Sequence, residues 1–186
     1  TFPARIGDVG VAKDLATHDI DLTAWVAQSR YAAVSAQTAF QSGRSFEDMI
    51  AISGRLTDGA VVNHLINWLS PMKERVTVVT GERGTFIADT ATADLTLHRN
   101  GTAALEWESV STFRGVSEGD VTRFAFPKRE PLRAELEAFR DAVNGEATTL
   151  STMREAVHVL RVVEASLQSA GDEGRLVRTA ETAAVV

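Results

Sequence analysis

Asp14, His18 and Asp21, within "DLATHDIDL", are the residues of this chain best placed to move a proton. On an α-helix, residues three and four apart are neighbours. At 100° per residue the three side chains point the same way to within about 60°. Trp25 falls on the same line, and Leu15, Leu22 and Val26 lie immediately to one side. The polar stripe therefore borders the expected buried face. A histidine flanked by carboxylates is favoured in its charged form, while partial burial opposes that. Such a group can titrate near neutral pH, as a proton shuttle must. The same spacing also fits a plain surface Asp–His pair worth about 0.2–0.5 kcal/mol. A shared cation is a third reading, but Asp14 and His18 supply only two ligands. His64, His98 and His158 have no ligand-like spacing to one another, so no metal site is expected. His98 precedes Asn100-Gly101 and is expected to be exposed, as is His158 on a helix rich in Arg and Glu. His64 shares a side of its expected strand with Val62, Ile66 and Trp68. It reads either as lining a pocket or as a half-buried histidine with its hydrogen bonds met.

The element that must carry the stripe is a helix predicted over residues 11–28. Residues 31–40, rich in Ala and Ser, read as a second helix or a loop. From Met49 the pattern changes to short apolar runs broken by turn signals at Asp58-Gly59, Gly81 to Gly84 and Asn100-Gly101. Each is a hairpin signal, because these residues accept positive φ. Together they predict an antiparallel sheet of about six or more strands. Two helices follow. Pro131 suits a first turn, Leu132, Leu136, Phe139 and Val143 make an apolar stripe, and Gly145 is a C-cap. Thr152 and Glu155 then form a capping-box pattern. Ala156, Leu160, Val163 and Leu167 make the next stripe, and Gly171 ends it. Residues 178–186 read as a last edge strand or as irregular. Strands do not alternate with helices, so the fold class is α+β: an open, largely antiparallel sheet with helices packed on one face.

A chain of 186 residues, 44% hydrophobic and 24% charged, suffices for one domain with a core. The net charge of −6 and the lack of a basic stripe argue against nucleic acid as a partner. No apolar run is long enough to span a membrane. "TFPARIGDVG" lacks the pattern of a signal peptide, and with no cysteine the chain is expected in the cytoplasm. Its first residue is Thr, which suggests a chain that is processed or excised from something longer. No G-x-G-x-x-G follows a strand and there is no P-loop, so no dinucleotide site is expected on these residues. The strands in "AVVNHLINWL" and "RVTVVTG" are apolar on both faces or nearly so. The chain's own helices can cover one face. The other calls for a partner subunit, so a homo-oligomer through the sheet is expected.

These residues also resemble a known family. "ARIGDVGVAKDLATHDIDLTAW" is similar to the segment that follows the Rossmann domain in the Gfo/Idh/MocA oxidoreductases, with its Asp, three residues, His, two residues, Asp. "INWLSPMKERVTVVTGERGTFIAD", "EPLRAELEAFRDAVNGE" and "TMREAVHVLRVVEASLQSAG" are similar to later segments in the same order. The set most resembles the branch acting on nucleotide sugars such as UDP-N-acetylglucosamine. The resemblance implies that residues 1–186 are a single C-terminal substrate-binding and oligomerisation domain, like that of dihydrodipicolinate reductase, without the Rossmann domain. It implies His18 as acid/base, Asp14 as its partner or as the acceptor of a substrate hydroxyl, and Asp21 orienting them from behind. Lys13 and His64 are further candidates for the substrate side or for supporting positions. It implies NAD or NADP in the full-length enzyme, none on this chain alone, and a sugar or nucleotide-sugar substrate in a dimer or tetramer. The isolated chain is then expected to be inactive. Lys13, Thr90 and Ala93 depart from the residues this family usually shows. The alternative is a free-standing binding or dimerisation module derived from this domain.

Overall fold

The computed structural model describes residues 7–101, 117–146 and 149–179. They fall into two compact units, Thr1–Pro71 with Thr149–Val186, and Met72–Thr148.

The first unit opens with a π-helical turn, Ala12–Ala16, continuous with α1, Thr17–Ala27. Gln28 ends α1 in a left-handed conformation. Three antiparallel strands follow: β1 (Tyr31–Ala39), β2 (Met49–Leu56) and β3 (Val61–Asn67). The turn between β2 and β3 is the expected one. Gly59 takes φ +95°, and the Asp58 carboxylate accepts from the Ala60 amide at 3.0 Å. A long helix, here called α3 (Met153–Gly171), and a two-residue strand β8 (Val177–Arg178) complete the unit, with sheet order β3-β2-β1-β8. Its core gathers Val11, Ala12, Ala16 and Ile20 from the first helical segment, Val34, Ile50 and Ile52 from the sheet, and Val162 and Val163 from α3.

Two expectations fail here. Residues 31–39 are a strand, neither helix nor loop. β1 is one of the sheet's two inner strands, paired with β2 along its length and with β8 at Ala33 and Val34. Its small residues let α3 pack closely and erase the alternating pattern that marks a half-buried strand. The buried face of α3 is Val159, Val162, Val163, Ser166 and Ser169, rotated from the stripe read in the sequence, and Leu160 is exposed. The serines are compatible with burial because each is satisfied. Ser166 donates to the Val162 carbonyl at 2.8 Å. The Ser169 hydroxyl donates to the Arg175 carbonyl at 2.6 Å and accepts from the Ala36 amide at 2.9 Å.

The second unit is an antiparallel meander of β4 (Val76–Gly81), β5 (Gly84–Asp89), β6 (Asp94–Gly101) and β7 (Ser117–Arg123), with a helix α2 (Pro131–Val143). Gly81 pairs with Gly84 around the expected tight turn. Gly84 has φ +151°, and a Cβ there would fall 2.3 Å from the His98 carbonyl oxygen. Asn100-Gly101 is not a turn. The two residues continue β6 and pair with Glu118 and Ser117. The expected strand at 102–110 lies outside the described residues. His98, expected to be exposed, is half-buried on β6, and His158 is half-buried on α3. α2 starts as expected, with Glu130 accepting from the Leu132 and Arg133 amides. The described residues thus form an α+β protein with two antiparallel four-stranded sheets. No helix among them is long and apolar enough to cross a membrane.

Candidate functional site

The segment bearing Asp14 and His18 is gripped at its start by the loop before β2. The Val11 amide donates to the Glu47 carbonyl and the Ala12 amide to Glu47 Oε1, both at 3.0 Å. Glu47 is buried, and a carboxylate there suits a helix N-terminus, where amide hydrogens lack intrahelical partners. Gly10 makes room for it: a Cβ at that position would lie 2.0 Å from Glu47 Oε1. Asp48, also buried, accepts from the Gln41 amide (2.7 Å), the Ser42 amide (2.8 Å) and the Ser42 hydroxyl (2.7 Å). Burial pushes its pKa up. The bonds from Ser42 and Gln41 and the charge of Arg44 more than reverse that, so the carboxyl stays below the ordinary range. Arg44 donates to the Val9 carbonyl at 3.2 Å and lies over the rings of Phe46 and Trp68.

Out of this anchor the chain makes its π-turn, whose hydrogen bonds close one residue later than in an α-helix. The constant rotation assumed between Asp14 and His18 therefore does not hold. Such turns are frequent at functional sites. Asp14 is half-buried on the turn and His18 is exposed in the first turn of α1. Among the described residues the two side chains share no hydrogen bond. Around them Val11, Ala12, Ala16 and Ile20 have no accessible surface, so the reactive groups stand on a fixed base.

The other candidates point elsewhere. Asp21 accepts from the Ser151 hydroxyl at 2.8 Å, just before the N-cap of α3. Lys13 pairs with Glu164 of α3 at 2.7 Å, with both side chains largely exposed. Both residues therefore tie the first helical segment to α3. Trp25, on the His18 side of α1, is exposed. His64 is half-buried on β3, and its Nε2 is 2.7 Å from the Tyr31 hydroxyl.

Tyr31, Thr23 and Glu47 carry no motif and were missed in the sequence. Tyr31 is the chain's single tyrosine and is 1% exposed. Burial pushes its pKa well up, a hydrogen bond from Thr23 of α1 opposes that, and the Asp19 carboxylate adds to the rise. Burial pushes the His64 pKa down, against the pull of the same Asp19. Burial thus favours the neutral imidazole, whose Nε2 accepts from the phenol in one tautomer and donates to it in the other.

A dinucleotide pyrophosphate seats on open amides at a helix N-terminus. Here those amides are taken. Glu47 holds Val11 and Ala12, Glu130 holds Leu132 and Arg133, and Thr152 holds Glu155 within a complete capping box. The described residues do not fit such a group. Nor do any three His, Asp or Glu among them cluster to hold a metal.

Residues 7–177 match the C-terminal alpha/beta domain of the oxidoreductase family Gfo/Idh/MocA. No curated protein matches the chain significantly. The fold is shared with UDP-N-acetylglucosamine 3-dehydrogenase GnnA from Acidithiobacillus ferrooxidans. In one crystal form of that protein the TM-score is 0.76 at 19% identity, over 94% of this chain and 51% of that one. An oxidoreductase domain protein from Kribbella flavida gives 0.72 at 16% identity, over 93% and 51%. GenD2 from gentamicin A biosynthesis, solved in complex with NAD, gives 0.65 at 23% identity, over 91% and 48%. The chain spans about half the length of these structures. With residues 7–177, most of this chain, matched by the family's C-terminal domain, the chain belongs to the Gfo/Idh/MocA oxidoreductases.

Proposed function

We propose that this chain is the substrate-binding and oligomerisation half of an NAD(P)-dependent oxidoreductase acting on a hydroxyl-bearing carbon of a sugar or nucleotide sugar. The observation that carries the reading is the placement of Asp14 and His18. They are a carboxylate and an exposed imidazole on adjacent turns of a segment whose neighbouring apolar residues are wholly enclosed. His18 takes the proton of the substrate hydroxyl on oxidation and returns it on reduction. Asp14 orients the imidazole or accepts from a second hydroxyl. The dinucleotide-binding residues belong to another half of the polypeptide, because the helix starts described here are filled by the chain's own side chains. The nucleotide-sugar dehydrogenase among the structural relatives supports the substrate class. The exposed apolar strands support the oligomer, and the cytoplasm is the compartment that fits an NAD(P)-dependent sugar enzyme.

The test is turnover of the polypeptide that joins this domain to its dinucleotide-binding half, with UDP-N-acetylglucosamine and simpler sugars as substrates. His18→Asn keeps the side chain's size but cannot shuttle a proton near neutral pH, so kcat/KM falls about 10²–10⁴-fold. Asp14→Asn costs part of that, and the double variant costs less than the product, since linked groups act as a unit. Near-wild-type turnover in His18→Asn overturns the acid/base reading. Sugar-nucleotide binding with no turnover in the unaltered polypeptide points instead to a binding module.

A further inference from the structure

The first helical segment does not cap itself. Val11, at its N-cap, makes no side-chain bond, and Gly10 before it has no side chain to offer. The acceptors come instead from Glu47, whose carbonyl takes the Val11 amide and whose Oε1 takes the Ala12 amide. Glu47 is in turn held by the sheet through its neighbour. The Asp48 amide donates to the Ala39 carbonyl at the end of β1 (2.8 Å), and the Asp48 carbonyl accepts from the Trp68 amide just beyond β3 (2.9 Å). The buried Asp48 carboxylate also holds the Gln41 and Ser42 amides of the same loop. The other end of the segment is fixed too. Ile20 has no accessible surface, and the Asp21 carboxylate accepts from the Ser151 hydroxyl. Between these ends the Asp14 amide bonds four residues back, to the Gly10 carbonyl at 3.2 Å, as in an α-helix. Ala12–Ala16 nevertheless winds as a π-turn, whose bonds reach five residues back and so take up one residue more than an α-turn.

We propose that Glu47 is a positioning residue for Asp14: by fixing the start of the segment against the sheet it leaves one residue too many for an α-helix before Ile20, and the π-turn that absorbs it sets the direction of Asp14 relative to His18. Without the Glu47 anchor the extra residue passes back into the loop before Val11. The segment then winds as an α-helix, and Asp14 turns by about 100°, one residue's rotation, relative to α1. Packing alone does not prevent this, because apolar contacts are non-directional, whereas hydrogen bonds are directional. Gly10 serves the same end, since a Cβ there would lie 2.0 Å from Glu47 Oε1. Among the described residues the half-buried Asp14 carboxylate accepts no hydrogen bond, so the backbone beneath it, not a partner of its own, decides where it points. The inference rests on the acid/base reading of Asp14 and His18 for its meaning in the reaction.

The 186-residue chain is compared with Glu47→Gln, Glu47→Asp and Glu47→Ala. Through-hydrogen-bond NMR couplings across Ala12–Ala16 report which carbonyl each amide meets. The five-residue spacing is expected in the unaltered chain and in Glu47→Gln, which keeps the acceptor oxygen in place. The four-residue spacing is expected in Glu47→Ala and in Glu47→Asp, whose carboxylate stops one carbon short. In Glu47→Ala the Ala12 amide exchanges about 10- to 150-fold faster, the loss of one bond to a charged group, while exchange across Val159–Ser169 of α3 holds. Glu47→Asp carries the test if Glu47→Ala does not fold. A π-turn that persists with the carboxylate removed or out of reach overturns the proposal. In the polypeptide joined to its dinucleotide-binding half, kcat/KM falls in Glu47→Ala, and the double variant with Asp14→Asn loses less than the product of the two. Losses that multiply mean that Glu47 does not act through Asp14, and they overturn the positioning role. The couplings are read without turnover. Normal activity in His18→Asn therefore retires the acid/base reading alone, and a persistent π-turn retires the Glu47 proposal alone.

Discussion

Helices α3 and α2 carry comparable apolar stripes and comparable side-chain caps, yet they meet opposite fates. Val162 and Val163 of α3 have no accessible surface, whereas Phe139 and Val143 of α2 keep 62% and 72% of theirs. The same contrast separates the two units as wholes. Every buried apolar residue described belongs to the unit built on β1, β2 and β3. The other unit leaves Val76, Val78 and Phe86 exposed on its strands as well, and Phe124 just beyond β7. Amphipathic patterning records that a face will be covered, not what covers it. In the first unit the cover lies in the same chain. In the second, exposed apolar residues lie on both sheet and helix, and these are the residues the proposed oligomer would have to cover.

The comparison breaks if the exposed residues do nothing for assembly. At micromolar concentration the chain is expected to sediment above its 20.0 kDa monomer mass. Val76→Lys and Val78→Lys place charges on β4 positions that are exposed in one copy. In a buried interface an unpaired charge is costly, so each variant weakens association by about 100-fold, roughly 2.7 kcal/mol. Sedimentation velocity decides it, and a clean monomer for the unaltered chain removes the interface.

The comparison sharpens in the dilute monomer. Val163→Ala in the enclosed unit is expected to cost about 2 kcal/mol of stability. Phe139→Ala removes a larger side chain, but from solvent, and is expected to stay within about 0.5 kcal/mol. Urea titration of both variants measures this. An equal cost would mean that α2 is packed in solution.

What the sequence revealed follows the same division. Local signals were legible. The capping box at Thr152 and Glu155, the Pro131 start and the Asp58-Gly59 turn are each set by residues within a few positions, and each is present. Signals that depend on distant packing were not. β1 hid because an inner strand of Ala and Ser lacks alternation. The face of α3 was misread because Ser166 and Ser169 look polar, yet are satisfied by the Val162 carbonyl and by the backbone of Ala36 and Arg175. At the candidate site, spacing along one helix brought Asp14 and His18 to notice. It could not show the π-turn between them, or that the start of that turn is held by Glu47 some 35 residues away. Nor could it show that Asp21 and Lys13 are held by Ser151 and Glu164 of another segment. Tyr31 carried a faint signal, as a lone aromatic at the end of the helix, but its partner His64 lies two strands on.

Acid gives the smallest expected effect and the finest separation of the units. His64, in the enclosed unit, has its pKa pushed down by burial against the pull of Asp19. A group with a depressed folded pKa binds protons more readily when unfolded. Its contribution is therefore complete above the unfolded value, about 6.5, and is lost as the pH falls through the folded value. One such group can give a slope of at most about 1.4 kcal/mol per pH unit. The second unit holds Asp89, Asp94 and Glu137 with lowered pKa values, from hydrogen bonds with Thr92, Arg123 and Arg133 respectively, and all three are solvent-accessible carboxylates. By the same sign rule their contributions are lost only below about pH 4, the ordinary carboxylate range. Between pH 7.5 and 5.5 the first unit should therefore loosen while the second does not. Hydrogen exchange read separately on peptides from β1–β3 and from β4–β6 distinguishes them, after correction for the intrinsic pH dependence of exchange. His64→Gln removes the titrating group and should flatten the response of the first unit. A first unit that loosens equally in His64→Gln would place the acid sensitivity elsewhere than in His64.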